Sequence, residues 1–128
     1  MMPTIQILIL EDSKADLALI VRELKKKEIS FDYQCVMSSD QFEEALDISK
    51  WDVILSDYSM GNFDAPKALK MLQQHNLDIP FIIVSGTVGE ETAVAAMKAG
   101  AQDFFPKDKL HRLAPAIERE LKEAKQRR

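Results

Sequence analysis

Short apolar runs alternate with longer amphipathic stretches along the chain, and this alternation predicts strands that are each followed by a helix. The apolar runs are nearly continuous, which is typical of parallel strands buried on both faces. They cover residues 5–10, 31–36, 51–56, 80–85 and 104–105. Apolar residues then recur at the spacing of one helix face, as they do from Leu17 to Leu24. The pattern predicts five strand–helix units, an α/β fold with a parallel sheet and helices on both faces.

Residues that favour helix ends support these boundaries. Ser13 is suited to the N-cap of the first helix, and the sequence from Ser38 to Gln41 is typical of a capping box. Asp64 is suited to cap the third helix. The last helix, about residues 112–128, favours helix up to the final residue and has no stop signal. It is equally compatible with an ordinary terminal helix and with a connector into a missing module.

Length and charge narrow the class of protein. A chain of 128 residues suits one domain with one core. Its net charge of −4 argues against direct binding of nucleic acid, which usually needs a concentrated basic face. No apolar run approaches the roughly 18 residues of a membrane span, and no signal peptide is evident, so we expect a cytoplasmic protein. Cys35 is the only cysteine, which excludes an internal disulfide.

Charged residues stand where three of the predicted strands end. Glu11 and Asp12 follow the first run, Asp57 follows the third, and Lys107 comes shortly after the fifth. In a parallel sheet with helical crossovers, the carboxyl ends of all strands point to one edge, where ligands bind. Three acids and a lysine at one edge can hold a divalent cation and a phosphoryl group. This arrangement points to phosphoryl transfer onto an aspartate.

These residues, taken in order with Ser85 after the fourth strand, resemble the signature of response-regulator receiver domains. The resemblance covers about residues 5–121. Receiver domains are similar in fold to the single-domain chemotaxis response regulator. It implies a single receiver domain, residues 1–128, with a flavodoxin-like (βα)5 fold and strand order 2-1-3-4-5. Residues 84–104 are also similar to receivers attached to hybrid or sensory kinases.

The resemblance implies that Asp57 accepts a phosphoryl group from a phosphohistidine donor with the help of Mg²⁺. Asp12, Asp57 and the main-chain carbonyl of Ser59 would be direct metal ligands, and Glu11 would act through water. Lys107 would contact a phosphoryl oxygen as a point charge. Such a domain is a regulatory phosphoacceptor with only intrinsic autophosphorylation and autodephosphorylation, and it is not a dedicated enzyme.

The resemblance also implies a switch and a set of partners. The hydroxyl of Ser85 would move toward the phosphoryl group, and Phe104 would rotate inward and reshape the face made by helix four, strand five and helix five. Expected partners are a histidine kinase or histidine phosphotransfer protein, and a downstream protein or a missing effector domain. A homodimer formed on phosphorylation is a further expectation, whereas direct contact with nucleic acid or membrane is not expected.

Three positions depart from the family's usual pattern. Phe104 replaces a frequent tyrosine, so switching would rest on packing without a hydroxyl. Asp108 replaces the usual proline after the lysine, so a trans peptide bond is expected there. Gly61 stands where proline is frequent, which predicts a more mobile loop after the acceptor.

Three other functions fit the residues less well. An aspartate-nucleophile phosphatase would carry a second acid two residues after Asp57, where Ser59 stands, and a cap domain for which the chain is too short. A flavodoxin-like nucleotide or flavin binder would need a phosphate loop where Glu11 and Asp12 stand. A degenerate receiver that serves only as a protein-interaction platform is disfavoured by the intact acids, but Asp108 keeps it open.

Overall fold

A computed structural model describes residues 4–86 and 89–127, and five parallel strands form its main sheet. The strands are β1 Ile5–Leu10, β2 Phe31–Val36, β3 Val53–Ser56, β4 Phe81–Ser85 and β5 Asp103–Pro106. The helices are α1 Lys14–Lys26, α2 Ser39–Ile48, α3 Ala65–Gln74, α4 Glu90–Lys98 and α5 Leu113–Arg127. No helix in these two ranges is long and apolar enough to cross a membrane.

The five strands lie in the order β2-β1-β3-β4-β5, which confirms the predicted order and the parallel sheet. The chain starts in the middle of the sheet, runs to one edge, and returns past β1 to build the other edge. The order therefore reverses between β1 and β3, and parallel α/β sheets bind ligands at such a switch point. A separate hairpin of Ser59–Met60 and Phe63–Asp64 was not predicted.

Successive residues of the central strands point into two different cores, one on each face of the sheet. Ile7 and Ile9 of β1 pack with buried residues of α1 and α5. Leu8 and Leu10 of the same strand pack with buried residues of α2, α3 and α4. Both faces of the sheet are covered, which explains why the strands read as continuous apolar runs.

The predicted helix caps are confirmed. The hydroxyl of Ser13 accepts a hydrogen bond from the amide of Asp16 at 3.2 Å. Ser38 accepts from the amide of Gln41 at 3.2 Å, and the side-chain oxygen of Gln41 accepts from the amide of Met37 at 2.7 Å. The capping box of α2 thus reaches one residue further back than the standard form, in which the N-cap amide is the donor.

Two segments differ from the sequence expectation. The third strand begins at Val53 rather than at Trp51. The indole N–H of Trp51 donates to the carbonyl of Ala45 in α2 at 2.9 Å. After β5, the chain forms a 3₁₀ segment, Lys107–Arg112, before α5 begins. The peptide bond between Lys107 and Asp108 is trans, as expected, since the described residues contain no cis peptide bond.

Candidate functional site

The site lies at the carboxyl edge of the sheet, where β1 and β3 end side by side. Leu10 and Ser56 are register partners in these strands, and each is followed by an acid. The amide of Asp57 donates to the carbonyl of Leu10 at 2.8 Å, which extends the ladder by one residue. Glu11 and Asp57 are therefore held next to each other by backbone geometry.

The carboxylate of Asp57 is oriented by the chain that follows it. Its Oδ1 accepts a hydrogen bond from the amide of Tyr58 at 2.8 Å. The carbonyl of Tyr58 accepts from the amide of Ala65 at 2.9 Å, which ties the loop to the start of α3. The side chain of Asp57 is 14% exposed, so a small molecule in solvent can still reach it.

Glu11, Asp12 and Asp57 form a group of three carboxylates that fits a divalent cation. One oxygen from each lies within 4.8 Å of the others. Glu11 is buried, Asp57 is partly buried and Asp12 is exposed, so the group opens to solvent on one side. Hard oxygen ligands of this kind suit Mg²⁺, which keeps several waters and uses few carboxylates. The three predicted metal acids are thus brought together.

Glu11 is already engaged by the protein. Its Oε2 accepts hydrogen bonds from the amides of Asp12 at 3.1 Å and Ser13 at 3.2 Å. Its Oε1 lies 2.9 Å from the Nζ of Lys107. Because Oε2 is held by two amides and Oε1 is paired in charge with Lys107 without a hydrogen bond, Glu11 suits contact with a cation through water better than direct coordination.

Lys107 stands at the centre of the site and faces three carboxylates. Its Nζ lies 2.6 Å from Asp16 Oδ2, 2.9 Å from Glu11 Oε1 and 3.5 Å from Asp57 Oδ2. The aliphatic part of Lys107 runs beside Gly86, where an added Cβ would be 3.9 Å from its Cδ. Lys107 therefore directly follows β5, and its ammonium is held by two acids that follow β1 and β3 and by one acid in α1.

Burial and charge act on the two innermost groups in different ways. Desolvation is the main cause that raises the pKa of Glu11, and the neighbouring charge of Asp57 adds to it, whereas Lys107 acts in the opposite direction. Burial alone would lower the pKa of Lys107, but the carboxylates of Asp16, Glu11 and Asp57 outweigh it and raise that pKa. The three carboxylates therefore favour the charged form of Lys107.

The other predicted site residues, Ser85, Ser59 and Phe104, differ in their burial and in the element that carries them. Ser85 is buried at the end of β4, directly before Gly86 and hence close to Lys107. Ser59 is exposed in the hairpin, two residues after Asp57. Phe104 is partly buried in β5 and packs against the core on the α2–α3 side. Thr87 and Val88, which belong to the segment similar to kinase-attached receivers, lie outside the described residues.

Sequence reasoning missed the part that Asp16 plays in the site. From the sequence, Asp16 is only an acid that suits the first turn of α1. In the structure it makes the shortest contact of Lys107. No pattern in the chain indicates that an acid of the first helix contacts the lysine that follows the fifth strand.

A second group of possible ligands lies on the outer surface of α2 and the end of α3. Oxygen and nitrogen atoms of Glu43, Asp47 and His75 lie within 4.8 Å of one another. His75 Nε2 is 2.8 Å from Glu43 Oε1. Both acids are exposed, and exposed acids often cluster in this way without a metal. We assign no function to this group.

Comparison with known proteins points to one family. A family model described as the response regulator receiver domain matches residues 7–118. The chain is similar to the transcriptional regulatory protein KdpE of Staphylococcus aureus, with 32% identity over 121 residues. That match covers 89% of this chain and 50% of KdpE. The cell cycle response regulator CtrA of Brucella ovis is 32% identical over 124 residues, which cover 91% of this chain and 51% of CtrA.

The chain therefore spans about half the length of the curated relatives it matches. Its fold is similar to the crystal structure of a signal receiver domain from a Vibrio parahaemolyticus protein described as a Luxo repressor. The TM-score is 0.86 at 23% identity, over 98% of this chain and 95% of that one. At this identity the likeness concerns the fold alone.

Proposed function

Because the chain belongs to the response regulator receiver domain family, we propose that it accepts a phosphoryl group on Asp57 from a phosphohistidine donor. Receiver domains are regulatory phosphoacceptors of two-component systems rather than classical enzymes. The observation that carries the proposal is the position of Asp57, which is partly exposed, lies beside the carboxylates of Glu11 and Asp12, and is 3.5 Å from the ammonium of Lys107. Phosphoryl transfer needs positioning and charge neutralisation more than covalent chemistry from the protein, and this edge offers both.

In the transfer step, a carboxylate oxygen of Asp57 attacks the phosphorus of the donor. The bond from phosphorus to the donor nitrogen breaks, the nitrogen keeps the electron pair, and an acyl phosphate forms on Asp57. The amide of Tyr58 holds Oδ1 at 2.8 Å and so fixes the direction in which the carboxylate points. This preorganisation removes part of the entropic cost of bringing the two reactants together.

Mg²⁺ is the proposed cofactor of this site, where it would neutralise charge on the phosphoryl oxygens. Asp12, Asp57 and the carbonyl of Ser59 are the proposed direct ligands, with Glu11 acting through water. The support is chemical: one oxygen from each of three carboxylates lies within 4.8 Å of the others, the Oε2 of Glu11 already accepts from two amides, and its Oε1 forms an ion pair with Lys107. Without a cation, like charges at this spacing repel one another.

Lys107 is proposed to donate a hydrogen bond to a phosphoryl oxygen once the group is on Asp57. Its ammonium is 3.5 Å from Asp57 Oδ2, close enough for a phosphoryl oxygen to come within reach. Its raised pKa keeps the ammonium charged, so it balances part of the added negative charge.

The proposed output is a change of the face formed by α4, β5 and α5. Ser85 is buried beside the site, and Phe104 is only partly buried in β5, so a shift of the serine hydroxyl can alter the packing of the ring. On α4, Val94 and Met97 are 48% and 42% exposed, which suits a docking or dimer surface on this face. A phenylalanine has no hydroxyl, so this switch rests on packing.

The proposed partners follow from the reaction and from the lengths of the relatives. A histidine kinase or histidine phosphotransfer protein would donate the phosphoryl group, in the cytoplasm. The signal would then pass to a separate protein or to an effector module joined to this domain.

Incubation with Mg²⁺ and acetyl phosphate, followed by intact mass measurement, tests the proposal. We expect one phosphoryl adduct that is absent without Mg²⁺ and absent in Asp57→Asn. Asp40→Asn, at an exposed acid in the first turn of α2, is the matched control and should keep the adduct. An adduct that persists in Asp57→Asn would contradict the proposal, and so would unmodified protein after exposure to a histidine phosphodonor.

A further inference from the structure

The carboxylate of Asp16 makes the shortest contact of the Lys107 ammonium, at 2.6 Å, although Asp16 follows none of the strands that build the site. It lies in the first turn of α1. Neither the family signature nor the group of metal acids includes it. Lys107 is thus drawn toward α1, and its distance to Asp57 Oδ2, 3.5 Å, is the longest of its three carboxylate contacts.

The position of Asp16 is fixed by its own helix. Its amide donates to the N-cap hydroxyl of Ser13 at 3.2 Å. The same helix is anchored in the core by Ile20 and Leu24, both buried. The backbone of Asp16 therefore cannot follow Lys107 if the lysine side chain swings toward Asp57.

A lysine ammonium has three N–H donors, and carboxylates already surround it on three sides. A phosphoryl group on Asp57 adds oxygens that compete for these donors. The contact that is easiest to give up is the one whose carboxylate can be solvated afterwards. The side chain of Glu11 is 0% exposed and that of Asp16 is 33% exposed. Taking the ammonium away from the buried carboxylate of Glu11 would cost far more than returning the carboxylate of Asp16 to water.

We propose that Asp16 is a positioning residue that holds Lys107 back from Asp57 in the unphosphorylated protein and releases it when the phosphoryl group arrives. The proposal rests on the proposed function, since it needs Asp57 to be the acceptor. It assigns Asp16 a role in setting how readily the domain is phosphorylated: the ion pair between Asp16 and Lys107 stabilises the resting state, and part of that stabilisation is lost on phosphorylation.

The test is the rate of phosphorylation by acetyl phosphate at fixed Mg²⁺, measured for the parent and for Asp16→Asn. We expect Asp16→Asn to react faster, on the order of fivefold, since a partly exposed ion pair no longer restrains Lys107. A gain in rate is informative because simple damage to α1 would slow the reaction. Asp16→Glu restores the charge and should return the rate toward that of the parent.

Two further variants separate a local effect from general electrostatics. Asp40→Asn removes the same charge from the first turn of α2 and should leave the rate nearly unchanged. In a Lys107→Met background, the added Asp16→Asn change should give no gain, because the restrained lysine is absent. A gain that persists without Lys107 would overturn the proposal and would indicate reduced repulsion of the donor.

An Asp16→Asn protein that is folded but reacts at the parent rate, or more slowly, would also overturn the proposal while leaving phosphorylation of Asp57 intact. Absence of the adduct in the parent and all variants would instead remove the proposed function, and the role of Asp16 with it. Far-UV circular dichroism of each variant shows that α1 is still formed. The two failures are therefore distinguishable in one set of reactions.

Discussion

Single residues at the carboxyl edge of the sheet act on one another through charge. Glu11, Asp12, Asp16 and Asp57 bring four carboxylates to a site at which the ammonium of Lys107 pairs with three of them. One ammonium cannot balance four carboxylates, so the resting site favours binding of a further cation. The same excess of negative charge would resist an incoming phosphate unless a metal were present.

Magnesium should therefore stabilise the folded protein, and Asp12 should be needed for the full effect. A ligand that binds only the folded state at about a hundred times its Kd raises the free energy of unfolding by about 2.7 kcal/mol. We expect urea denaturation of the parent to show an increase with added Mg²⁺ and a smaller one for Asp12→Asn. Asp40→Asn serves as the charge control. An equal effect of Mg²⁺ in Asp12→Asn and the parent would exclude Asp12 as a ligand.

Cys35 should be a slow nucleophile in the folded protein. Burial raises the pKa of its thiol, so less thiolate is present at a given pH than for an exposed cysteine. Its Sγ also donates to the carbonyl of Glu11 at 3.3 Å. Rates of alkylation with iodoacetamide, measured against pH, should show a midpoint at higher pH for the native protein than for the protein in denaturant. Coincident pH profiles would show that the thiol is not desolvated.

Most of the charged residues in the site could be predicted from the sequence, because the ends of strands can be located from the apolar runs. Glu11, Asp12, Asp57 and Lys107 each follow such a run, and the structure brings all four together. Asp16 could not be found in this way. Its contact with Lys107 depends on how α1 packs against the chain after β5, and that packing has no local signal.

At the scale of elements, side-chain caps set where the helices begin. Ser13, Ser38 and Asp64 each accept a hydrogen bond from an amide in the first turn of α1, α2 and α3. The start of α4 follows Gly89, which offers no side-chain cap. Three of the helices that border the site thus have fixed starting points, and their first turns hold Asp16 and the loop after Asp57 in place.

Ser38→Ala should lower the free energy of unfolding by about 1 kcal/mol, because the first turn of α2 loses its capping oxygen. Chemical denaturation measures the loss. Ser39→Ala is the matched control, since Ser39 is an exposed residue in the same turn and is not the cap. Its effect should stay within about 0.5 kcal/mol. If both variants lose the same stability, the cap does not determine the start of the helix.

The elements that the sequence did not predict are the shortest ones. The hairpin after Asp57 has two residues in each strand, too few for an apolar pattern. Gly61 opens its two-residue turn with φ of +74°, a conformation that proline at this position could not adopt. The 3₁₀ segment after β5 begins at Lys107. Its second residue is Asp108, which stands where the family usually has a proline. The hairpin and the 3₁₀ segment are too short to show a hydrophobic period, so single residues such as Gly61 are the only local signal for them.

At the scale of the whole molecule, one sheet joins two cores. The cluster on the α1–α5 side and the cluster on the α2–α3 side share the backbone of β1, β3 and β4, whose side chains alternate between them. Because the same strands line both clusters, loss of packing on one face should disturb the other. Alternation of strands and helices predicted both layers, and the resemblance to receiver domains implied the strand order. The division of residues between the two cores follows from the observed register.

Leu24→Ala should therefore destabilise the whole molecule and not α1 alone. Leu24 is 0% exposed in the α1–α5 core, and such a substitution costs about 2–5 kcal/mol. Trp51, the only tryptophan, lies in the opposite core and reports on it by fluorescence. We expect fluorescence and far-UV circular dichroism to give one shared midpoint, shifted together. A fluorescence midpoint that stays at the parent value would indicate two independent cores.

Locating the phosphoryl group on the chain tests most directly whether Asp57 is the acceptor. After reaction with acetyl phosphate and Mg²⁺, borohydride reduces an acyl phosphate of aspartate to homoserine, and peptide mass spectrometry finds the changed residue. We predict homoserine at position 57 and nowhere else, with none formed when Mg²⁺ is withheld. Homoserine at Asp12 or another aspartate, the corresponding alcohol at a glutamate, or a stable phosphoryl group on a serine or histidine would contradict the assignment of Asp57.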